Sequence, residues 1–293
     1  MSIIALLGAV ELGLVFAFVG LGVYLSFRIL DFPDLTVDGS FPLGAAVAAV
    51  AIVGGLDPWL ATLLAILAGA CAGLVTAFLN VRFGILHLLA SILTMIALYS
   101  INLRIMGRPN VPLLNQPTVL TPFYDLGLAS YMVRPLFLLV LAIIVVAALA
   151  WFLATDFGLA MRATGANPRM ARAQGISTAR STYAGMALSN GLVGLAGALF
   201  AQTNGFADVT AGVGTIVVGL AAVILGENLF RSGRSGVVLI GVVVGSILYR
   251  IAIQLALSLD AIGLEPSDMN LATAVLVALA LIVPRLRTGR VAT

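Results

Sequence analysis

The chain has 293 residues, of which 61% are hydrophobic and 9% are charged, and its mean hydropathy is +1.16. A soluble domain normally carries about a quarter charged residues, so this composition excludes an ordinary water-soluble globule and fits lipid as the solvent. The formal net charge is only +3, and the basic residues, all of them Arg, lie between apolar runs rather than in one stripe, which argues against a nucleic-acid-binding protein.

Nine apolar stretches are candidates for membrane spans, because about 20 apolar residues in a helix cross a hydrocarbon core roughly 30 Å thick. In chain order they are 9–29, 38–55, 58–80, 85–105, 135–154, 181–202, 211–229, 236–258 and 270–284. The sequence therefore predicts an all-α polytopic membrane protein with about nine (8–10) helices in a single transmembrane domain, residues 1–293. The N-terminus lacks the basic stretch and cleavage site of a signal peptide, so the first run is expected to be retained.

The arginines predict the orientation in the membrane. Eleven of them collect on one side, namely Arg28, Arg82, Arg162, Arg169, Arg172, Arg180, Arg231, Arg234, Arg285, Arg287 and Arg290. The other side carries Arg104, Arg108 and Arg134. Since the richer side is usually cytoplasmic, we expect the C-terminus inside and the N-terminus outside. The longest outer loop is then 106–134, which contains four prolines and is expected to be mostly non-helical.

Cysteine and histidine each occur once, as Cys71 and His87. A lone cysteine excludes a disulfide within the chain, and a lone histidine cannot build a metal site by itself or support a Ser-His-Asp arrangement. The sequence therefore predicts no metal site and no catalytic residues.

The segment 31–40 interrupts the apolar pattern with the carboxylates of Asp31, Asp34 and Asp38. Pro33 ends the first helix, and Thr36 is among the residues suited to cap the next one. If the break dips into the membrane, the second helix is a half-helix whose N-terminal N–H groups face a polar solute. The alternative is a short solvated loop with good caps.

An internal repeat emerges when the chain is shifted by 174 residues. The identical pairs are Val19/Val193, Gly20/Gly194, Leu21/Leu195, Leu25/Leu199, Phe32/Phe206, Asp34/Asp208 and Thr36/Thr210. By the arginine distribution Asp34 lies toward the cytoplasm and Asp208 toward the outside, so the two copies would be inverted, as in many transporters. The alternative is chance matching among common apolar residues.

The loop 155–180 is basic and long for a connection between two spans. Asn167 is a preferred N-cap residue, Pro168 suits the first helical position, and Gly175 suits the residue after the end. This pattern predicts a two-turn helix at about 168–174 on the cytoplasmic surface. A helix that short is marginal alone, so it is expected to be held by a partner protein, or, alternatively, by anionic lipid headgroups.

Three motifs in order carry a family resemblance. ATGANPRMARAQGI followed by SNGLVGLAGALF resembles the cytoplasmic loop and next helix of permeases from the ribose and branched-chain amino acid ABC importer group. PDLTVDGSFPLGAAVAA is similar to that group's Asp-Leu-Ser/Thr-Val segment, and GVGTIVVGLAAVILGE to its Gly-rich late segment. The resemblance runs from about residue 10 to 285 and is closest to a subgroup marked by DLTVDGSF and SILTMIALYSINLRIMG, often labelled as tryptophan/tyrosine permeases or left uncharacterised.

The resemblance implies the type II importer fold in a bacterial inner membrane. It implies a second permease copy, a separate ATP-binding cassette ATPase docked on 155–180, and a periplasmic or lipid-anchored substrate-binding protein. The expected ATPase-coupling residues are Arg162, Gly165, Asn167, Pro168, Arg169, Arg172 and Gly175. Permeases of this fold often have ten spans, and the span missing from our count would precede residue 9. The chain lacks a G-x-x-x-x-G-K-S/T loop, so no cofactor and no enzyme activity are expected, and ATP would be bound by the partner.

Polar residues inside the predicted spans are candidates for the solute path. Arg250 lies within 236–258, where a charge costs about 2.5–3.5 kcal/mol, so it should contact a substrate carboxylate, pair with Glu11 or Asp208, or extend outward. The other polar residues either line the path or form bonds between helices. The full candidate path set is Asp34, Thr36, Asp38, Ser91, Thr94, Asn102, Asn190 and Arg250.

Two expectations concern packing. Gly191, Gly194 and Gly197 form a GxxGxxG face that is better explained by close helix packing than by a ligand site. Glu227 is spaced to pair with Arg231, four residues later.

The favoured function is a passive permease for a small solute, such as an amino acid, driven by a separate ATPase. An ion-coupled secondary transporter, which also uses inverted repeats and broken helices, is the alternative, and a membrane scaffold is a third class. The predicted helix at 168–174 favours the first, since a secondary transporter needs no docking site for an ATPase.

Overall fold

A computed structural model describes residues 3–124, 130–230 and 235–257. Helix α1 spans Ile3–Val23 and continues as a π-helix over Tyr24–Ile29. The remaining elements are α2 (Val37–Val53), α3 (Pro58–Phe83), α4 (His87–Met106), β1 (Asn110–Pro112), α5 (Thr121–Tyr124), α6 (Ser130–Ala154), α7 (Asp156–Ala166), α8 (Pro168–Ala173), α9 (Thr178–Asn204), β2 (Phe206–Asp208), α10 (Thr215–Leu229) and α11 (Ser235–Leu257).

Within the described residues, six helices are long and apolar enough to cross a membrane. They are Ile4–Ile29, Pro58–Phe83, His87–Met106, Met132–Ala154, Thr178–Asn204 and Ser235–Ala256. Two shorter apolar helices, Val37–Val53 and Thr215–Leu229, coincide with the predicted spans 38–55 and 211–229. The predicted span 270–284 lies outside the described residues.

The later of the two short helices begins at Thr215 rather than at residue 211. Gly214 has a φ of +81°, a left-handed conformation in which a helix cannot continue, so the chain turns through residues 209–214 before α10 starts. Helices α2 and α10, with 17 and 15 residues, are shorter than the length of about 20 residues that usually crosses a bilayer, and the first turn of each is largely buried.

Helices α2, α3 and α9 meet backbone to backbone. A Cβ on Gly197 would overlap the carbonyl oxygen of Phe41 in α2, and one on Gly194 would lie 2.5 Å from that of Ala65 in α3. This confirms close packing for these two glycines, whereas Gly191 has only an ordinary separation of 3.5 Å from the carbonyl oxygen of Ile66. Small residues let helices approach this closely in lipid, where dispersion and not the hydrophobic effect holds them together.

Helices α1, α10 and α11 form a second close-packed group. A Cβ on Gly13 would lie 2.8 Å from the Cα of Ile247, and one on Gly226 would overlap the backbone of Gly241. The two groups meet along α1 and α9, because α1 packs against α9, α10 and α11 while α9 packs against α1, α2 and α3.

The end of the bundle that carries β1 and β2 is closed by a short antiparallel ladder, in which Val111 pairs with Ala207. The loop before it is mostly non-helical where the structure describes it, as the prolines predicted. Gln202 fixes this loop to α3, since its amide donates to Thr62 Oγ1 at 2.9 Å and its oxygen accepts from the N–H of Val119 at 3.0 Å.

Helices α3, α4 and α6 turn large apolar side chains outward. Prominent examples are Trp59, Leu60, Leu67, Val75, Leu88, Ile96, Leu136, Ile143 and Trp151. An exposed apolar surface of this extent is stable in hydrocarbon and not in water, which matches the membrane prediction.

The close packing gives a first prediction. Gly197→Ala should lower the free energy of unfolding by about 1–3 kcal/mol, because one methyl group must push α9 away from the carbonyl of Phe41. Gly8→Ala is the matched control, since nothing lies within 4 Å of a Cβ there. Unfolding by titration with sodium dodecyl sulfate in mixed micelles measures both, and equal stability of the two variants would contradict the packing.

Candidate functional site

The loop predicted to carry a surface helix folds into α7 and α8. Asn167 caps α8, because its Oδ1 accepts from the N–H groups of Arg169 at 3.1 Å and Met170 at 3.0 Å. Pro168 occupies the first turn, and Gly175 follows the end with a φ of +80°. The predicted helix at 168–174 is thus confirmed as Pro168–Ala173.

The surface of α8 has two different faces. Ala171 is fully buried and holds the helix against the bundle, while Arg169, Met170 and Arg172 are exposed. Two cationic side chains therefore flank an apolar one, Met170, which is 52% exposed.

Helix α7 connects this surface to the interior of the bundle. A Cβ on Gly165 would overlap the carbonyl oxygen of Ile29, at the end of the π-helix. Arg162 is half-buried and lines a pocket of about 360 Å³ beside Arg28 and Asp31. Of the predicted coupling residues, Arg162 and Gly165 thus lie against the first helix, and the others form or flank α8.

An ion pair joins the π-helix to α10. Arg28 donates from Nε to Glu227 Oε1 at 2.6 Å. The sequence predicted Arg231 as the partner of Glu227, but Arg231 lies outside the described residues.

The break after the π-helix is held by buried hydrogen bonds. Asp34 is fully buried, and its carboxylate accepts from the N–H of Thr36 at 2.9 Å and from Asn190 Nδ2 at 2.7 Å. Asn190 Oδ1 in turn accepts from Ser40 at 2.7 Å. The hydroxyls of Thr36 and Thr76 lie 2.7 Å apart. These bonds connect the break to α2, α3 and α9. They use polar atoms that the sequence suggested as contacts for a solute.

Ser40 and Thr76 belong to this network but were absent from the predicted set. Neither gives a distinctive signal, because a single hydroxyl in an apolar helix usually bonds to its own backbone. Only the fold brings them to Asn190 and Thr36.

Asp38 lies at the start of α2 and caps α10. Its carboxylate accepts from the N–H of Ile216 at 2.8 Å and from that of Gly214 at 3.3 Å. A negative charge at this position complements the positive end of the α10 dipole. The N-terminus of the short helix α10 therefore faces a carboxylate, and this carboxylate belongs to the chain itself and not to a solute.

A pocket of about 450 Å³ opens between α2, α4 and the turn before α10. Its lining residues are Asp38, Gly39, Pro42, Met95, Ile96, Tyr99, Ser100, Asn102, Val209 and Val213. Asn102 is fully buried, and its Nδ2 donates to the carbonyl oxygen of Gly39 at 3.1 Å. The pocket thus gathers two predicted path residues, Asp38 and Asn102.

The other two predicted path residues of α4, Ser91 and Thr94, are buried elsewhere. Ser91 donates to the carbonyl of Leu88 at 2.9 Å, and Thr94 to that of Ala90 at 3.0 Å. Both hydroxyls are used within their own helix and neither lines the pocket.

Arg250 is 9% exposed and its guanidinium lies 4.0 Å from the centre of the Phe16 ring, a cation–π contact. The partners expected for it are engaged elsewhere. Glu11 lies 3.9 Å from Arg134, and Asp208 accepts from Asn110 at 3.2 Å. The structure thus places Arg250 in the core beside α1 and outside the lining of the 450 Å³ pocket.

Asp208 lies at the β1–β2 end and is partly exposed. Partial burial alone would raise the pKa of its carboxyl, but hydrogen bonds from Thr210 and Asn110 lower that pKa below the usual value for an aspartate. Asp208 is therefore ionised at neutral pH. Among the described residues, no group of three or more His, Cys, Asp or Glu side chains is placed to hold a metal.

The described residues thus form a bundle of long apolar helices with two short apolar helices, α2 and α10, and a short capped helix, α8, at its surface. Among solved structures, the fold is similar to "PsaBC from Streptococcus pneumoniae in complex with Fab", with a TM-score of 0.53 and 14% identity over 94% of this chain and 89% of that one. At this identity the likeness concerns the fold alone.

The chain belongs to the permease component family of the branched-chain amino acid transport system, whose sequence profile matches residues 5–284. It is 38% identical to the tyrosine transport system permease protein of Clostridioides difficile over 264 residues, 90% of this chain and 86% of that one. It is 29% identical to the inner membrane ABC transporter permease protein YjfF of Escherichia coli over 263 residues, 85% of this chain and 70% of that one.

Membership in this family confirms the predicted class. Such a permease is the non-catalytic membrane subunit of an ABC transporter, and ATP is hydrolysed by a separate subunit. The chain is therefore a multi-pass transport protein and not an enzyme.

The buried network gives a second prediction. Asn190→Ala should destabilise the protein by more than about 2 kcal/mol, because the Asp34 carboxylate loses a donor in a site that water cannot reach. In a double-mutant cycle with Asp34→Ala, the double variant should lose less than the sum of the single losses, with a coupling of about 1–3 kcal/mol. Unfolding in mixed micelles measures all four proteins, and additive losses would show that the two side chains act independently.

Proposed function

We propose that this chain is the permease of an ABC importer, which moves a small solute inward when a separate ATPase subunit acts on α8. The observation that carries the proposal is the capped helix itself, which presents Arg169, Met170 and Arg172 outward. A side chain as apolar as Met170, flanked by two arginines, matches a partner surface with an apolar notch and acidic groups around it. A lipid headgroup would use the arginines but gain little from Met170 at this height.

The contacts behind α8 provide a route for its motion. Helices α7 and α8 lie between α6 and α9, and Gly165 touches the carbonyl of Ile29. A displacement of α7 therefore pushes on the π-helix and on the break that follows it. Because Asp34 is bonded to Asn190 in the middle of α9, the same displacement reaches the centre of the bundle.

The solute path in this proposal runs along the 450 Å³ pocket. An unshielded carboxylate facing lipid is costly, so the face that carries Asp38 should be covered by water or by another protein chain. Tyr99 and Ile96 on the same face are more than half exposed. A second permease copy seated against α4 would cover them and enclose a central path.

The proposal includes an inverted internal repeat, which two similar turns support. Asp34 accepts from the N–H of Thr36 at 2.9 Å, and Asp208 accepts from that of Thr210 at 2.8 Å. Each turn follows a long helix and precedes a short one, and α1 contacts α10 and α11 as α9 contacts α2 and α3. The proposal keeps the nine predicted spans, with the N-terminus outside and the C-terminus in the cytoplasm.

The proposed solute is an amino acid or a molecule of similar size, delivered by a periplasmic or lipid-anchored binding protein. A relative that is 38% identical over most of both chains carries tyrosine transport in its name. Tyrosine is therefore the first solute to test.

The third prediction tests the coupling. Arg169→Glu with Arg172→Glu should reduce the co-purified ATPase subunit and the ATP-dependent uptake of tyrosine at least about tenfold, because both reversed charges would repel an acidic partner surface. Arg82→Glu is the matched control, since Arg82 is an exposed arginine at the end of α3 near the start of α4. Co-expression with the ATPase and binding protein of its own transport system, followed by pull-down and proteoliposome uptake, gives both measurements.

Two results would overturn the proposal. One is undiminished ATPase binding and uptake by the doubly reversed variant. The other is uphill tyrosine uptake by the chain alone on an ion gradient, which would make it a secondary transporter.

A further inference from the structure

We infer that the 450 Å³ pocket recognises its solute through a protonated amine, and that it takes small molecules with an ammonium group on an apolar or aromatic body. The inference rests on the proposed function and adds the chemical class of the solute. It depends on hydrogen-bond acceptors in the pocket that outnumber the donors available to them.

Asn102 supplies an unused acceptor. Its Nδ2 donates to the carbonyl of Gly39 at 3.1 Å, which fixes the orientation of the amide and directs Oδ1 away from that carbonyl. Asn102 is fully buried and lines the pocket, and within the described residues its Oδ1 has no hydrogen-bond partner. A buried acceptor without a donor is unfavourable, so a ligand that brings an N–H group gains free energy by occupying this position.

Asp38 supplies the charge. Each of its carboxylate oxygens accepts one backbone N–H, from Gly214 and from Ile216. A carboxylate offers about four acceptor positions, so half of them stay available to a ligand. Within the described residues no arginine lines the pocket, so among them the negative charge is balanced only by backbone dipoles. This arrangement favours a cationic group next to Asp38 and opposes a carboxylate at that same position.

The rest of the pocket determines the body of the solute. Met95, Pro42, Val209 and Val213 are apolar, and Tyr99 adds an aromatic ring. The volume lies within the range of about 300–1,000 Å³ that is usual for small-molecule sites. A bare metal cation fits poorly, because it needs about six oxygen ligands and this lining is mostly apolar.

Two probes that differ in one group test the inference. Tyramine keeps the amine and lacks the carboxylate, whereas 3-(4-hydroxyphenyl)propionate keeps the carboxylate and lacks the amine. Saturation-transfer NMR on the full-length permease in nanodiscs, with empty nanodiscs subtracted, should show that tyramine binds at least about tenfold more tightly. This comparison uses the unaltered protein and does not depend on the folding of a variant.

Variants then locate the site. Asn102→Leu removes the free acceptor and should weaken tyramine binding at least about tenfold, and Asp38→Asn, which removes the charge, should do the same. Asn204→Leu is the matched control and should bind as the unaltered protein does, because Asn204 is exposed at the far end of α9. ATPase co-purification is measured on each variant to show that the permease is assembled.

Three results would overturn the inference: equal or tighter binding of the propionate, no binding of either probe, or unchanged tyramine binding in Asn102→Leu. In each case, retained ATPase co-purification through α8 would leave the proposed importer function standing. Loss of that co-purification in the α8 variants bears on the function and not on the pocket.

Discussion

The structure depends on one constraint, which is that a backbone inside hydrocarbon has no water to satisfy its polar groups. Two half-helices, α2 and α10, begin within the bundle, and each brings free N–H groups to a place where they must be paired. Asp34 accepts from the N–H of Thr36 at the start of α2, and also from the side chain of Asn190. Asp38 accepts from the N–H groups of Gly214 and Ile216 at the start of α10. The carboxylates in the break thus stabilise the fold, whatever part they take in transport.

Close backbone contact makes the arrangement rigid enough to transmit force. Glycines bring α9 against α2 and α3, and α1 against α11, without intervening side chains that could change rotamer. In the proposed coupling, a push delivered at α8 would move helices as bodies instead of being absorbed by side-chain rearrangement. The exposed surfaces of α3 and α6 carry no such constraint, since lipid adapts to them.

Local sequence rules predicted the parts of the site that depend on neighbouring residues. Asn167, Pro168 and Gly175 specified α8 because capping acts within one turn of a helix. Thr36 is a local partner of Asp34, but Asn190 lies 156 residues away from Asp34 and the partners of Asp38 lie more than 170 residues away, so no local rule could connect those groups. The aromatic ring beneath Arg250 was missed for the same reason, and the delayed start of α10 depended on the conformation of one glycine, Gly214.

The position of the 450 Å³ pocket has a consequence for how such permeases diversify. Its lining includes Asp38 and Gly39, which form hydrogen bonds between elements of the bundle, while Tyr99 and Ser100 lie on its exposed side. Substitutions on that side can alter the shape and polarity of the cavity at little cost to stability. If the pocket takes the solute, as proposed, a lineage can exchange one transported compound for another while the packed centre of the bundle stays unchanged.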